Sequence, residues 1–235
     1  MKFSVPLIET RLIKRYKRFL ADVELPDGQI ITVHCANPGS MRGLTDPGIR
    51  AWISDSQNPK RKLRYSLEMV EVASEMVGIN TNHPNKIARE AIENGEIPTL
   101  AIFDVLKTEV KYGKNSRIDI LLEGEDIPST FVEVKNVHFS RTAGIHEFPD
   151  SVTARGAKHL DELAEQVKAG NRAVMLYVIQ RNDGNIFRFA EDLDPNYVSA
   201  YRRAHKAGVE AIALTCKVSP NSIEVDEIIP VEVPA

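Results

Sequence analysis

The strongest constraint on this chain is a carboxylate set inside an apolar run. Arg117-Ile118-Asp119-Ile120-Leu121-Leu122 has the β-branched, apolar character of a strand. An acid among such neighbours must be paired, hydrated or ligated. A turn across residues 124–128, Gly124 to Pro128, returns the chain to Phe131-Val132-Glu133-Val134-Lys135. Side chains alternate along a strand, so Glu133 and Lys135 project from one face. Antiparallel pairing of the two runs would then set Asp119 beside Glu133. Close carboxylates repel, and a divalent cation relieves the repulsion. Oxygen ligands with room for water and phosphate suit Mg2+ or Mn2+. Such an ion would polarise a phosphodiester, with Lys135 orienting the nucleophile or stabilising developing negative charge. Glu-x-Lys alone equally fits a solvated strand face with a weak ion pair. The acid fourteen residues earlier adds the weight.

The rest of the pattern divides near residue 82. Before it, strand signals dominate: a basic run over 11–25 ends at Pro26-Asp27-Gly28, and residues 29–35 follow as its hairpin partner. Turns at Asn37-Pro38-Gly39-Ser40 and Asp46-Pro47-Gly48 precede strands over 49–54 and 66–79. Four or five short strands in this length predict a small antiparallel barrel, with an OB-fold leading. After residue 82, Asn85 is expected to cap a helix over 86–93. Strands follow at 101–112, 117–122 and 130–137, a helix at 152–169, and an apolar strand at 173–179 buried on both faces. A helix opening at Asp194-Pro195 and strands at 211–215 and 222–229 complete a mixed α/β unit. The expected division is thus 1–82 for the barrel and 83–235 for the second unit.

Charge follows the same division. Residues 1–64 hold 12 Lys/Arg and 6 Asp/Glu, a balance of +6, while the remainder holds 18 and 27, a balance of −9. A basic front suits phosphate backbones, and the acidic back can hold cations; two ordinary solvated surfaces would give the same sums. Lys14-Arg15-Tyr16-Lys17-Arg18-Phe19 interleaves rings with cations, a pattern suited to DNA backbone contacts and base stacking. Lys60, Arg61 and Lys62 form a second basic cluster. Glu109, ahead of Glu90, is the candidate third metal ligand, and Lys158 and His159 are candidate contacts to phosphate or to the site. Trp52 and Tyr65 read as core or barrel residues. Two distant cysteines, Cys35 and Cys216, support neither a disulfide framework nor a zinc site. No apolar run approaches the ~20 residues of a membrane span, and no signal peptide is evident, so a cytoplasmic protein is expected. Without a G-x-S-x-G elbow, a G-x-x-x-x-G-K-[ST] loop or a G-x-G-x-x-G turn, serine hydrolysis and nucleotide cofactors are disfavoured.

At these residues the chain resembles the sugar fermentation stimulation protein A (SfsA) family. The matching blocks are His34-Cys35-Ala36-Asn37-Pro38-Gly39-Ser40-Met41, Asn58-Pro59-Lys60-Arg61-Lys62, Glu109-Val110-Lys111-Tyr112-Gly113, Ser116-Arg117-Ile118-Asp119 and Val132-Glu133-Val134-Lys135-Asn136-Val137. Phe148-Pro149-Asp150 and Arg155-Gly156-Ala157-Lys158-His159-Leu160 continue them in order. The resemblance implies an N-terminal OB-fold β-barrel joined to a PD-(D/E)xK restriction-endonuclease-like domain. It also implies sequence-non-specific DNA binding and a regulatory link to maltose metabolism. Asp119, Glu133 and Lys135 match the nuclease motif residue by residue, and Glu109 matches an acid in the family's own block. His138 departs from the pattern, which favours Thr there. Two functions are expected from this: a Mg2+- or Mn2+-dependent DNA endonuclease, or a non-catalytic DNA-binding regulator of sugar metabolism. A carbohydrate-binding barrel is a third, less suited to the basic residues.

Overall fold

The computed structural model describes residues 1–113 and 116–234. Its first sheet is built by β1 (Ile8–Tyr16), β2 (Leu20–Glu24), β3 (Ile30–Cys35), β4 (Arg50–Asp55), β5 (Tyr65–Val72) and β6 (Glu75–Gly78). β1 pairs with β2 and β4, β2 with β3 and β4 with β5, all antiparallel; β3 then joins β5 in parallel and closes five strands into a barrel. This closure is the OB topology, and it removes the free sheet edges. Leu12, Ala21, Val23, Val33, Ile53 and Leu67 fill the barrel interior. Outward positions 20, 22 and 24 alternate with buried Ala21 and Val23, as a pleat requires.

The expected strand partners shift here. The run over 11–25 is itself a hairpin, because Lys17 and Arg18 adopt positive φ, 48° and 61°, and reverse the chain. Ala73 and Ser74 do the same, at 52° and 68°, dividing the expected 66–79 strand into β5 and β6. None of these four is the glycine or asparagine that marks such turns in a sequence.

The second unit opens with α1 (Pro84–Glu93), with His83 at its N-cap; Asn85 lies inside the first turn and its side chain serves elsewhere. A 3-10 turn at Pro98–Leu100 precedes β7 (Val105–Tyr112), so that strand begins later than expected. Then come β8 (Ser116–Glu123), β9 (Thr130–Val137), β10 (Phe139–Thr142), β11 (Gly144–Phe148), α2 (Ala154–Lys168), β12 (Arg172–Ile179), β13 (Gly184–Phe189), α3 (Pro195–Lys206), β14 (Glu210–Val218), β15 (Ile223–Ile229) and β16 (Val231–Glu232). The central sheet runs β15-β14-β12-β9-β8-β7, with β9, β12 and β14 parallel and joined through α2 and α3. Strand β12 is buried on both sides. Ala173, Met175 and Tyr177 face the α2/α3 layer, while Val174, Leu176 and Val178 face the α1 layer. Strands β10, β11, β13 and β16 form a small sheet beside the α2/α3 layer. Among the described residues no helix is long and apolar enough to cross a membrane.

The two units share polar contacts. The loop after β3 rests on Asp150: Ser40 Oγ and the Met41 amide donate to its carboxylate, at 3.1 Å each. Gly39 is needed there, since a Cβ would lie 2.7 Å from Asp150 Oδ2. From the other side, the Gly78 amide donates to the Gln180 carbonyl at 2.8 Å, and Gln180 Nε2 donates to the Asn80 carbonyl at 3.2 Å. Lys2 and Phe3 also reach across, pairing with residues 221 and 222 next to β15.

Candidate functional site

The site forms where β8 parts from β9. Their ladder runs Leu122↔Thr130, Leu121↔Phe131, Ile120↔Val132 and then stops. The next step of that register brings Asp119 level with Glu133. The Asp119 side chain takes over as acceptor, receiving the Val134 amide on Oδ2 at 2.7 Å and the Asn85 side-chain amide on Oδ1 at 2.8 Å. Asn85 thus acts from α1 on an acid 34 positions later. No spacing rule could have signalled that.

Glu133 is buried on β9 with its side chain 3% exposed. Its Oε1 accepts from Lys135 Nζ at 2.6 Å and pairs closely with His159 Nδ1. Arg155 Nε lies 3.3 Å from His159 Nε2, so the ring is held between Arg155 and Glu133. α2 holds His159 in place through a tight start: Thr153 Oγ1 accepts the Gly156 amide, and a Cβ at Gly156 would come within 3.0 Å of the Tyr197 ring. Among the described residues, Glu133 Oε2 is buried with no hydrogen-bond partner.

Burial and the neighbouring Glu133 charge push the Asp119 carboxyl above its ordinary range, against the pull of Val134, Lys135 and Asn85. For Glu133 burial acts in the same direction, but Lys135 and His159 outweigh it and hold its carboxyl below the usual value. Burial, with Glu133, Glu162 and Asp119 nearby, also pushes the Tyr112 phenol up. Two acids that repel and an orphaned carboxylate oxygen between strand and helix fit a divalent cation.

The other sequence candidates divide. Glu109 falls between the pairs Thr108↔Ile120 and Val110↔Ile118, level with Asp119, but it is exposed on edge strand β7 at φ 55°, and no described contact joins it to either acid. Glu90 pairs with Lys86 at 3.8 Å and with the Met1 amino group at 2.9 Å, away from the site. Among the described residues no three His, Cys, Asp or Glu side chains gather into a ready cage. Lys158 bonds Ser116 Oγ at 3.2 Å and pairs with Glu162 at 3.5 Å. On the barrel, Lys14, Lys17 and Arg18 are exposed in and beside the β1–β2 turn, and Lys60, Arg61 and Lys62 in the β4–β5 loop. Arg15 differs: its guanidinium donates to the carbonyls of Asn37, Gly39, Ser40 and Arg18, at 2.8, 2.9, 3.4 and 3.0 Å, so it clamps the loop that docks on Asp150.

Two family models match in the order of the two units: the SfsA N-terminal OB domain over residues 13–79 and the sugar fermentation stimulation protein RE domain over residues 82–222. The chain belongs to the sugar fermentation stimulation protein family. It is similar to a homolog from Maricaulis maris, 56% identical over 95% of each chain. A homolog from Brucella anthropi is 55% identical over 99% of this chain and 100% of its own. The solved structure of Pyrococcus furiosus SfsA in complex with Ca2+ matches with a TM-score of 0.89 and 26% identity, covering 99% of this chain and 98% of that one. The fold is therefore an OB barrel joined to a restriction-endonuclease-like unit, as the resemblance implied.

Proposed function

We propose that this protein binds DNA without sequence preference and carries a divalent-metal-dependent nuclease site, with residues 1–82 as the gripping unit and 83–235 as the metal-bearing unit. The observation that carries it is the pairing of Asp119 and Glu133 at the β8–β9 fork, with a buried Glu133 oxygen unpartnered among the described residues and Lys135 on the same face. Asp119 and Glu133 would hold Mg2+ or Mn2+, and a bound ion supplies Lewis acidity toward a phosphodiester. Pyrococcus furiosus SfsA, solved in complex with Ca2+, supports a divalent ion in this family.

The chain's own residues supply the rest. Lys135 brings a positive charge beside Glu133, where it can stabilise negative charge building on a phosphate. His159 fixes the Glu133 carboxylate from α2, and Asn85 fixes Asp119 from α1. The exposed cations Lys14, Lys17, Arg18, Lys60, Arg61 and Lys62 fall in or beside the β1–β2 and β4–β5 loops, which in OB folds contact nucleic acid. A binding-only regulator of sugar metabolism is the second reading, favoured by the lack of a third gathered acid among the described residues.

Purified protein should cleave DNA in Mn2+ or Mg2+, and Asp119→Ala should abolish cleavage while DNA binding in EDTA persists. Lys135→Met should keep Mn2+ binding but lose about 10²–10³-fold in cleavage rate. DNA binding without cleavage of any substrate would select the regulator. Cutting that survives Asp119→Ala would reject the site.

A further inference from the structure

The outer face of the barrel carries more than charge. Tyr16, Leu20 and His34 are cross-strand neighbours in one row over β1, β2 and β3. Directly paired residues share a face, so all three side chains point outward together. Phe19, in the turn beside this row, is 47% exposed, and its ring stacks on His34 with centroids 6.4 Å apart and planes 17° from parallel. Lys14 Nζ sits 5.3 Å from the Tyr16 ring centroid. Lys17 and Arg18, both at positive φ, project from the same turn into solvent. The β4–β5 connection repeats the combination, with Arg64 lying 5.2 Å from the Tyr65 ring beyond the exposed Lys60, Arg61 and Lys62.

A duplex offers phosphates and groove edges, and its base faces are already stacked. An exposed ring on the outer face of the barrel has nothing to stack with there. A single strand offers both free base faces and phosphates, which matches rings flanked by cations.

We propose that the β1–β2–β3 face is a single-stranded DNA platform, on which Phe19 and His34 stack a base while Lys17 and Arg18 hold the adjoining phosphates. It rests on DNA being the partner and names the form of DNA that is held. The Arg15 clamp fixes the platform to the remainder: its guanidinium joins the Arg18 carbonyl to the 37–40 loop, and that loop is seated on Asp150 of the second unit. A strand on the platform is thereby held at a set position relative to the β8–β9 fork.

Fluorescence anisotropy in EDTA, which stops any cleavage, tests this with oligothymidylate, a blunt duplex and the matching RNA. Oligothymidylate should bind at least ~10-fold more tightly than duplex, and Phe19→Ala should weaken it about 5- to 150-fold, the size of one lost base stack. Phe19→Ala should leave the salt slope unchanged, whereas Lys17→Ala should lower it by about 0.7, one phosphate contact on a single strand. Phe19→Trp should restore affinity and be quenched on binding, which a merely structural role would not produce. Tight duplex binding that is indifferent to Phe19→Ala would overturn the platform and leave the DNA reading standing. Tighter binding of RNA would overturn the choice of DNA. No binding to any nucleic acid would overturn both.

Discussion

Arg15 and Lys17 stand two positions apart in one basic run, yet they do different work. Arg15 donates to four carbonyls, while Lys17 is exposed. Charge-assisted bonds of this kind contribute about 1.5–3 kcal/mol each when fully desolvated, less when shared. Arg15→Ala should therefore lower unfolding stability by roughly 2 kcal/mol in urea denaturation, whereas Lys60→Ala, in an exposed loop, should stay within ~0.5 kcal/mol. At the site, the raised Asp119 carboxyl sets a second expectation. A carboxyl raised on folding costs stability as pH climbs from its unfolded value, ~3.9, through its folded one. Asp119→Asn should then melt higher than the parent in EDTA at neutral pH, by a few degrees for ~1 kcal/mol. The advantage should vanish below about pH 4, and Mn2+ binding by calorimetry should be lost. Asp119, Glu133 and Lys135 were legible because strand alternation and a short turn bring them together. The Asn85–Asp119 and Ser40–Asp150 contacts were not, since they join residues 34 and 110 positions apart in the chain.

The β1–β2 turn shows why element boundaries were harder to read than elements. Two successive left-handed residues normally call for glycine or asparagine, and here they are Lys17 and Arg18. Left-handed backbone costs a side-chain-bearing residue about 1 kcal/mol or more, and such strain persists where the side chains are useful. Arg18→Gly should raise the melting temperature by a few degrees, for ~1 kcal/mol, and still weaken DNA binding in anisotropy. Unchanged binding would show that the turn keeps its cations for no DNA-related reason. Helices α2 and α3 and strand β12 were readable because long periodic or apolar runs announce them. Strands β10, β11 and β13 went unseen: Phe-Ser-Arg-Thr, Gly-Ile-His-Glu-Phe and Gly-Asn-Ile-Phe-Arg-Phe are short and partly polar, and they become strands by pairing with one another.

Across the whole molecule, Asp150 is the acid on which the barrel loop rests. Ser40, Met41 and Ser151 donate to it, and His138 Nε2 lies 3.4 Å from its Oδ2. His138 is steered in turn by Asn136, which Gln180 contacts, so the network passes one residue from Lys135. Burial opposes the Asp150 charge, but the His138 ring and these donors hold the carboxyl well below its ordinary range. A depressed carboxyl contributes stability that is present above its unfolded value, ~3.9, and is lost as pH falls toward the folded one. Asp150→Asn should thus cost about 2 kcal/mol at neutral pH, by loss of charge-assisted bonds. The gap from the parent should narrow steadily below about pH 4 in urea denaturation. Hydrogen exchange at the Met41 amide should quicken at the same time, because that amide donates to the carboxylate that the substitution neutralises. A gap that persists undiminished at pH 3 would mean that shape, and not charge, seats the barrel on the second unit. If charge does so, loosening the seat should also lower cleavage of a strand held on the barrel more than it lowers binding, since the grip and the metal-bearing fork would no longer keep a fixed separation.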